Sequence, residues 1–374
     1  MDMSRWVAML GLGLAMSAGA GASEDVEPPK FRLSGYGSLG VSHSSQALGD
    51  YVLDSTMPNG AGLSRQYDFG NNSRIGVQAT ATLTRKLSGV LQVVSEYQAD
   101  NTYRPTVEWA NLRYEVAPNA YVRVGRVVLP TFMYSDTRKV GYGYPWVHPP
   151  ADVYRQTAIT YSDGVEGQYR MDFAEFSNSV KLLYGSTKLK YPTSISHIRN
   201  LWGIFDTLEY GAVTLRAGYQ RRDTSSESLL TGGWGPWVLD SDLTLAAMYD
   251  SGDGFIIAEW MEQETSSRSQ AGYLSAGMRL DRLTPYILVS AGGKGTFTTG
   301  MQPTAAALRA ANRSQSTLGV GVCWDVMKNT AFKLEYDRVT LGKTSNGYLA
   351  NVPGNVNLAG SSFHVVTGVV DFVF

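Results

Sequence analysis

The sequence predicts an all-β protein: a transmembrane antiparallel β-barrel of about 16 strands, with a long third loop folded into its lumen. Three observations predict it. The segment Val366 to Phe374 alternates with a two-residue period and stops on an aromatic residue. Similar runs recur along the chain, separated by alternately short and long connections, as tight periplasmic turns and longer outer loops would require. Charged residues inside the runs lie on the parity opposite the main apolar set, which suits a wet interior and a lipid-facing exterior.

The amino terminus reads as a secretory signal. Arg5 supplies the positive region, Val7 to Met16 the apolar stretch, and Ala20-Gly21-Ala22 the small-residue cleavage site, with Ala18-Gly19-Ala20 as the neighbouring alternative. Residues 1–22 are therefore expected to be removed, leaving 23–374 as one barrel domain. The apolar stretch is shorter than the roughly 20 residues that span a bilayer as a helix. Gly (40) and Tyr (22) are abundant, and a single cysteine, Cys323, excludes an intramolecular disulfide. A closed barrel supplies stability by another route, because every backbone group is paired between strands and no edge is left open. The net charge of −1 gives no sign of a nucleic-acid partner. The four histidines, at 43, 148, 197 and 364, have no metal-ligand spacing, and no cofactor is implied.

Phe31 to Val41 is the first run, followed by a long loop. Ile75, Val77, Ala79, Ala81 and Leu83 then share a face against Arg74, Gln78, Thr80, Thr82 and Thr84. The runs Val90–Gln98 and Ala110–Val116 come next, and Ala117-Pro118-Asn119-Ala120 makes a short turn into Val122 and Val124. After the long connection at 129–154, strands are predicted near 164–173, 180–185, 201–208, 213–220, 243–250, 255–263, 272–280, 286–291, 318–326, 331–340 and the last segment. Polar loops are expected at 186–199, 221–241, 292–316 and 341–361.

A lipid-facing Arg or Lys costs about 2–4 kcal/mol near the bilayer midplane. Arg74, Glu96, Arg113, Arg123, Arg216, Arg279, Lys333, Glu335 and Asp337 are therefore assigned to the interior, and a packed apolar core is not expected there. Cys323 has the inward parity, as a small wall filler. Arg126 breaks parity by siding with Val122 and Val124. A bulge at Gly125 would turn it inward, and the alternative is that it snorkels to headgroups. The 129–154 connection is rich in aromatics and proline, which suits a loop packed on the barrel interior. The competing reading is an outer loop packed on its neighbours. Its charged residues Asp136, Arg138, Lys139 and Asp152 would then stand in the pore.

At Ser73-Arg74-Ile75-Gly76-Val77, Val124-Gly125-Arg126, Tyr154-Arg155, Lys333-Leu334-Glu335-Tyr336 and Val370-Asp371-Phe372-Val373-Phe374 the chain resembles the Gram-negative trimeric porin family. The order and spacing of these short motifs carry the likeness. It implies an outer-membrane location, a homotrimer in outer-membrane lipid, and a ladder of wall arginines facing carboxylates on the inward loop. By position the ladder would be Arg74, Arg126 and Arg155, with Arg123 beside them by parity. The loop acids would be Asp136 and Asp152. The resemblance also implies that Phe374 belongs to the signal read by the outer-membrane insertion machinery. Two departures stand out: Tyr142 to Pro150 replaces the Pro-Glu-Phe-Gly-Gly signature, and the loop near 100–105 is short for latching onto a neighbouring subunit.

The expected function is passive diffusion of small hydrophilic solutes through a water-filled channel with weak anion preference. The alternative is a channel specific for small anions such as carboxylates, phosphate or sulfonates, since arginines suit oxyanions. A remoter reading is an outer-membrane hydrolase using Ser362 and His364. It lacks an identifiable carboxylate or oxyanion donor.

Overall fold

The computed structural model describes residues 29–265, 267–293, 296–297 and 312–374; the expected signal segment lies outside them. Sixteen long strands are found among the described residues. They are β1 (Lys30–Ser44), β2 (Arg74–Thr82), β3 (Leu87–Glu96), β4 (Thr106–Ala117), β5 (Ala120–Val128), β6 (Tyr161–Asp172), β7 (Phe176–Lys190) and β8 (Ser194–Tyr210). The second half holds β9 (Val213–Ser228), β10 (Val238–Asp250), β11 (Gly254–Glu264), β12 (Ser267–Met278), β13 (Leu283–Gly292), β14 (Gln315–Met327), β15 (Thr330–Leu341) and β16 (Ser362–Val373).

Each strand runs antiparallel to its neighbours, and β1 pairs with β2 on one side and β16 on the other. The sheet therefore closes and leaves no edge in lipid. At the seam, Phe374 exchanges backbone hydrogen bonds with Gly35 (2.8 and 2.9 Å), and its ring lies over that glycine. A Cβ at residue 35 would sit 2.3 Å from the ring, so the position has to be small.

Period-two alternation has its expected consequence. Leu33, Leu39, Leu91, Leu112, Val124 and Leu182 are exposed on the outside, and Ser38, Gln92, Glu166 and Lys333 are buried inside. Near the short-turn rim the outside carries Tyr114, Tyr169, Phe173, Tyr210, Tyr249, Trp324 and Phe332, an aromatic girdle of the kind that sits at headgroup level.

The long loops differ from expectation at two places. Residues predicted as loop at 186–199 continue β7 and begin β8, and those at 221–228 continue β9. β8 has 17 residues, roughly 56 Å at about 3.3 Å per residue, well beyond the hydrocarbon thickness. Its outer half meets water on both faces, so Ser194, Ser196, Thr224 and Ser226 replace the apolar alternation that marks a strand in lipid.

Candidate pore and its inward loop

The third loop enters the barrel after β5 and returns to the wall at β6. Its root is clamped by a buried apolar cluster of Val127, Leu129, Ile159, Leu183, Leu201 and Phe205. Deeper in, Phe132, Tyr144, Trp146, Val153 and Tyr154 pack on the inner faces of β10 to β13, against Met248, Ile257, Met261, Tyr273 and Leu288. Phe132 stacks on Tyr154 with ring centres 4.3 Å apart, and Trp146 meets Tyr273 edge-on at 5.7 Å. A lumen without a packed apolar core was expected. Part of it is packed, because β10 to β13 turn Met248, Ile257, Met261, Tyr273 and Leu288 inward and the loop covers them.

Polar anchors fix this packing. Trp146 Nε1 donates to Ser275 Oγ (2.8 Å), and the Glu259 carboxylate accepts from Met133 N, Tyr154 OH and Tyr273 OH at 2.6–2.8 Å. Lys333 Nζ donates to the loop carbonyls of Gly141, Tyr144 and Trp146 (2.6, 2.7 and 2.9 Å) and pairs with Asp371 at 2.8 Å. An ammonium has three protons and all find acceptors, so one wall lysine holds the whole turn of the loop.

The wet side of the lumen lies between the loop and β2 to β9. Arg113 and Arg123 stand over the Tyr121 ring at 4.3 and 4.8 Å, and Arg123 pairs with Glu166 at 3.2 Å. Across from them the loop presents Asp136, 3.7 Å from Lys181. Lys181, followed by Arg216 and Arg123, holds the Asp136 carboxyl below its usual range against the opposing effect of burial. Further round, the loop's Lys139 inserts between Glu96 (2.5 Å) and Glu108 (2.7 Å) of the wall. Charge is therefore opposed across the gap in both senses: a loop acid faces wall cations, and a loop cation faces wall acids. Among the described residues, Arg74 and Arg216 form no ion pair with a carboxylate, and Arg74 is placed beside Glu96 by strand register.

Of the sequence candidates, the structure sets Arg123 and Asp136 across this gap from each other, with Lys139 and Arg74 further round. Three others sit elsewhere. Arg126 is on the outer face, where it forms a two-pronged pair with Asp163 (2.7 and 2.8 Å) and lies over Tyr161. The expected bulge is absent at Gly125: pairing with β4 runs unbroken from Leu112–Val124 to Ala110–Arg126, and the glycine's φ of 123° leaves parity unchanged.

Asp152, on the short helix α1 (Ala151–Tyr154), is only 1% exposed and accepts from Ser290 Oγ (2.7 Å) and Gln315 Nε2 (2.6 Å). It anchors the loop instead of lining the pore, and burial pushes its pKa up. Arg155, 8% exposed, donates to the Val52 carbonyl (2.8 Å) and lies over Tyr348. Burial and the nearby Arg313 bring its pKa down to about 10. It ties the third loop to the first. Arg138 does similar work, donating to the carbonyls of Tyr154 (2.9 Å) and Thr157 (3.1 Å) and pairing with Asp54.

Two wall residues escaped the sequence. Lys181 has the parity opposite Leu182 and Tyr184, a signal that was present. Glu108 shares the parity of Ala110 and Leu112. A bulge opposite Gln92–Val93 leaves it as the extra residue and turns it inward. Ser362 Oγ bonds Thr340 (3.0 Å), while His364 stacks on Tyr336 and bonds its hydroxyl (2.7 Å), so the two are engaged separately.

A closed sixteen-stranded barrel with its third loop packed inside is the porin-type fold of outer-membrane proteins. Comparison with solved structures agrees. OmpT of Vibrio cholerae in its trimer form matches 93% of this chain and 100% of its own, with 14% identity and a TM-score of 0.59. An anion-selective porin from Comamonas acidovorans matches 92% and 100%, with 14% identity and a TM-score of 0.55. The outer-membrane channel DcaP of Acinetobacter baumannii matches 93% and 98%, with 11% identity and a TM-score of 0.57. No protein-family model matches the chain, and no curated protein does.

Proposed function

We propose that the protein is a Gram-negative outer-membrane porin, passing small hydrophilic solutes by passive diffusion with weak preference for anions. The observation that carries this is the divided lumen. An aromatic loop fills one half, and the other is bordered by Arg113, Arg123, Lys181 and Arg216 opposite Asp136. Opposed charges across a narrow aqueous gap orient water and dipolar solutes and penalise apolar ones. Among the described residues Arg216 forms no ion pair with a carboxylate, and the wall cations outnumber the acids facing them. In a planar bilayer under a KCl gradient, the reversal potential should indicate modest anion preference. A clearly cation-selective conductance would refute the assignment.

A channel specific for one class of small anion is the second reading, favoured by the paired guanidiniums around Tyr121. Block by a single oxyanion at low concentration, saturating with dose, would select it. Phe374 is proposed as part of the insertion signal, and a homotrimer as the assembled state. The outer face of β1 to β4 fits a second copy, with Ala79, Ala81, Gly89 and Ala110 forming a shallow groove beside Phe31 and Leu91. Native electrophoresis of membrane extracts reads both. Wild type should run as a trimer and Phe374→Ala should accumulate unassembled; a monomeric wild type or a normally assembled variant would count against the respective proposal.

A further inference from the structure

We propose that His148, Glu335 and Asp337 form a binding site for a divalent transition-metal ion that fastens the inward loop to the barrel wall. One potential ligand atom from each residue lies within 4.8 Å of the others. His148 comes from the loop, and Glu335 and Asp337 project inward from β15, two residues apart. All three residues are buried.

Three features point to a ligand. First, His148 Nε2, Glu335 Oε1 and Asp337 Oδ1 are each buried with no hydrogen-bond partner. Orphaned polar atoms are uncommon in folded proteins, and three converging on one point call for a common partner. Secondly, the imidazole is oriented for ligation. Nδ1 lies 3.1 Å from the Pro149 carbonyl, which can only accept, so Nδ1 carries the proton and Nε2 presents its lone pair. Nε2 is 3.8 Å from Glu335 Oε1. Glu335 Oε2 in turn accepts from Tyr286 OH at 2.7 Å, the kind of outer contact that fixes a ligating carboxylate.

Thirdly, two neighbouring buried carboxylates need a shared proton or a cation between them, and Lys333 Nζ is committed elsewhere, to Asp371 and three loop carbonyls. Gly319 on β14 opens the space beside Asp337, where a Cβ would stand 2.5 Å from Oδ1. One imidazole nitrogen with two carboxylate oxygens suits Zn²⁺, Mn²⁺ or Co²⁺, with water completing the shell. Ca²⁺ would want 6–8 oxygens, which this site does not offer. Bonds of about 2.0–2.2 Å require the three side chains to draw together by small rotations.

The test uses untagged, folded full-length protein in detergent, stripped with EDTA and dialysed against Zn²⁺ or Co²⁺. About one metal per chain is expected at neutral pH. The Co²⁺ form should show visible absorption bands with nitrogen ligation. His148→Gln and Asp337→Asn should each lower affinity at least tenfold, whereas Asp253→Asn, an exposed acid of the turn between β10 and β11, should leave it unchanged. Substoichiometric binding by the wild type would overturn the proposal and leave the acids as a pair sharing a proton. Undiminished binding in either folded site variant would overturn it too. Should neither variant fold, the wild-type stoichiometry and Co²⁺ spectrum still decide.

Discussion

Lys333→Met should destabilise the barrel by about 3–5 kcal/mol and make its single-channel current noisy, the largest effect expected of any one substitution. The size follows from what is left behind. The ammonium donates to three carbonyls of the loop and is ion-paired with the buried Asp371 carboxylate. Methionine matches the stem in length but donates nothing. Asp371 would retain a 2.5 Å bond from Ser38 Oγ and otherwise be an unpaired buried charge. With its turn at 141–146 released, the loop should sample more than one position. Urea titration of heat-modifiable mobility measures the first effect and bilayer recording the second. Unchanged stability with quiet conductance would mean that the loop is held by its aromatic contacts alone.

Replacing Arg113, Arg123, Lys181 and Arg216 together by glutamine should convert weak anion preference into cation preference and leave conductance of the same order. Asp136 would then face a neutral wall, and Glu166 would lose its arginine. Each single change should move the reversal potential in the same direction by a smaller step. Arg126→Gln provides the contrast. Its guanidinium is on the outer face beside Asp163 and Tyr161, so selectivity should stay at the wild-type value. A shift at Arg126 equal to that at Arg123 would contradict the placement of both.

Much of the barrel was legible because lipid and water impose opposite demands on alternate residues. β2 obeys that rule throughout, whereas β16 turns Phe363, Val365 and Val369 inward and Ser362 and His364 outward. Legibility ended where the rule lapses. The outer halves of β7 to β9 stand in water and read as loop. β11, with Phe255, Ile257 and Met261 turned inward under the loop, broke the expectation of a wet lumen because its covering partner comes from over 100 residues earlier. In the site, Arg123 and Lys181 are inward by simple alternation. Glu108 and Arg126 show the limit of counting: the bulge that reverses a side chain falls at Glu108, and Gly125 only looks like one. Asp152, Arg155 and His148 sit on a loop with no period at all. Their partners, among them Ser290, Val52 and Glu335, are fixed only by tertiary packing.

The central claim is that permeation runs between the loop and the basic wall and avoids the aromatic half. A single cysteine placed on each side of the loop, in a Cys323→Ala background, tests this most directly with a charged thiol reagent during bilayer recording. Asp136 is 53% exposed on its side chain, and Met261 is fully buried beneath the loop. The account predicts a prompt fall in current for Asp136→Cys and none for Met261→Cys. Block at Met261→Cys with no response at Asp136→Cys would put the pore on the other side of the loop and contradict it.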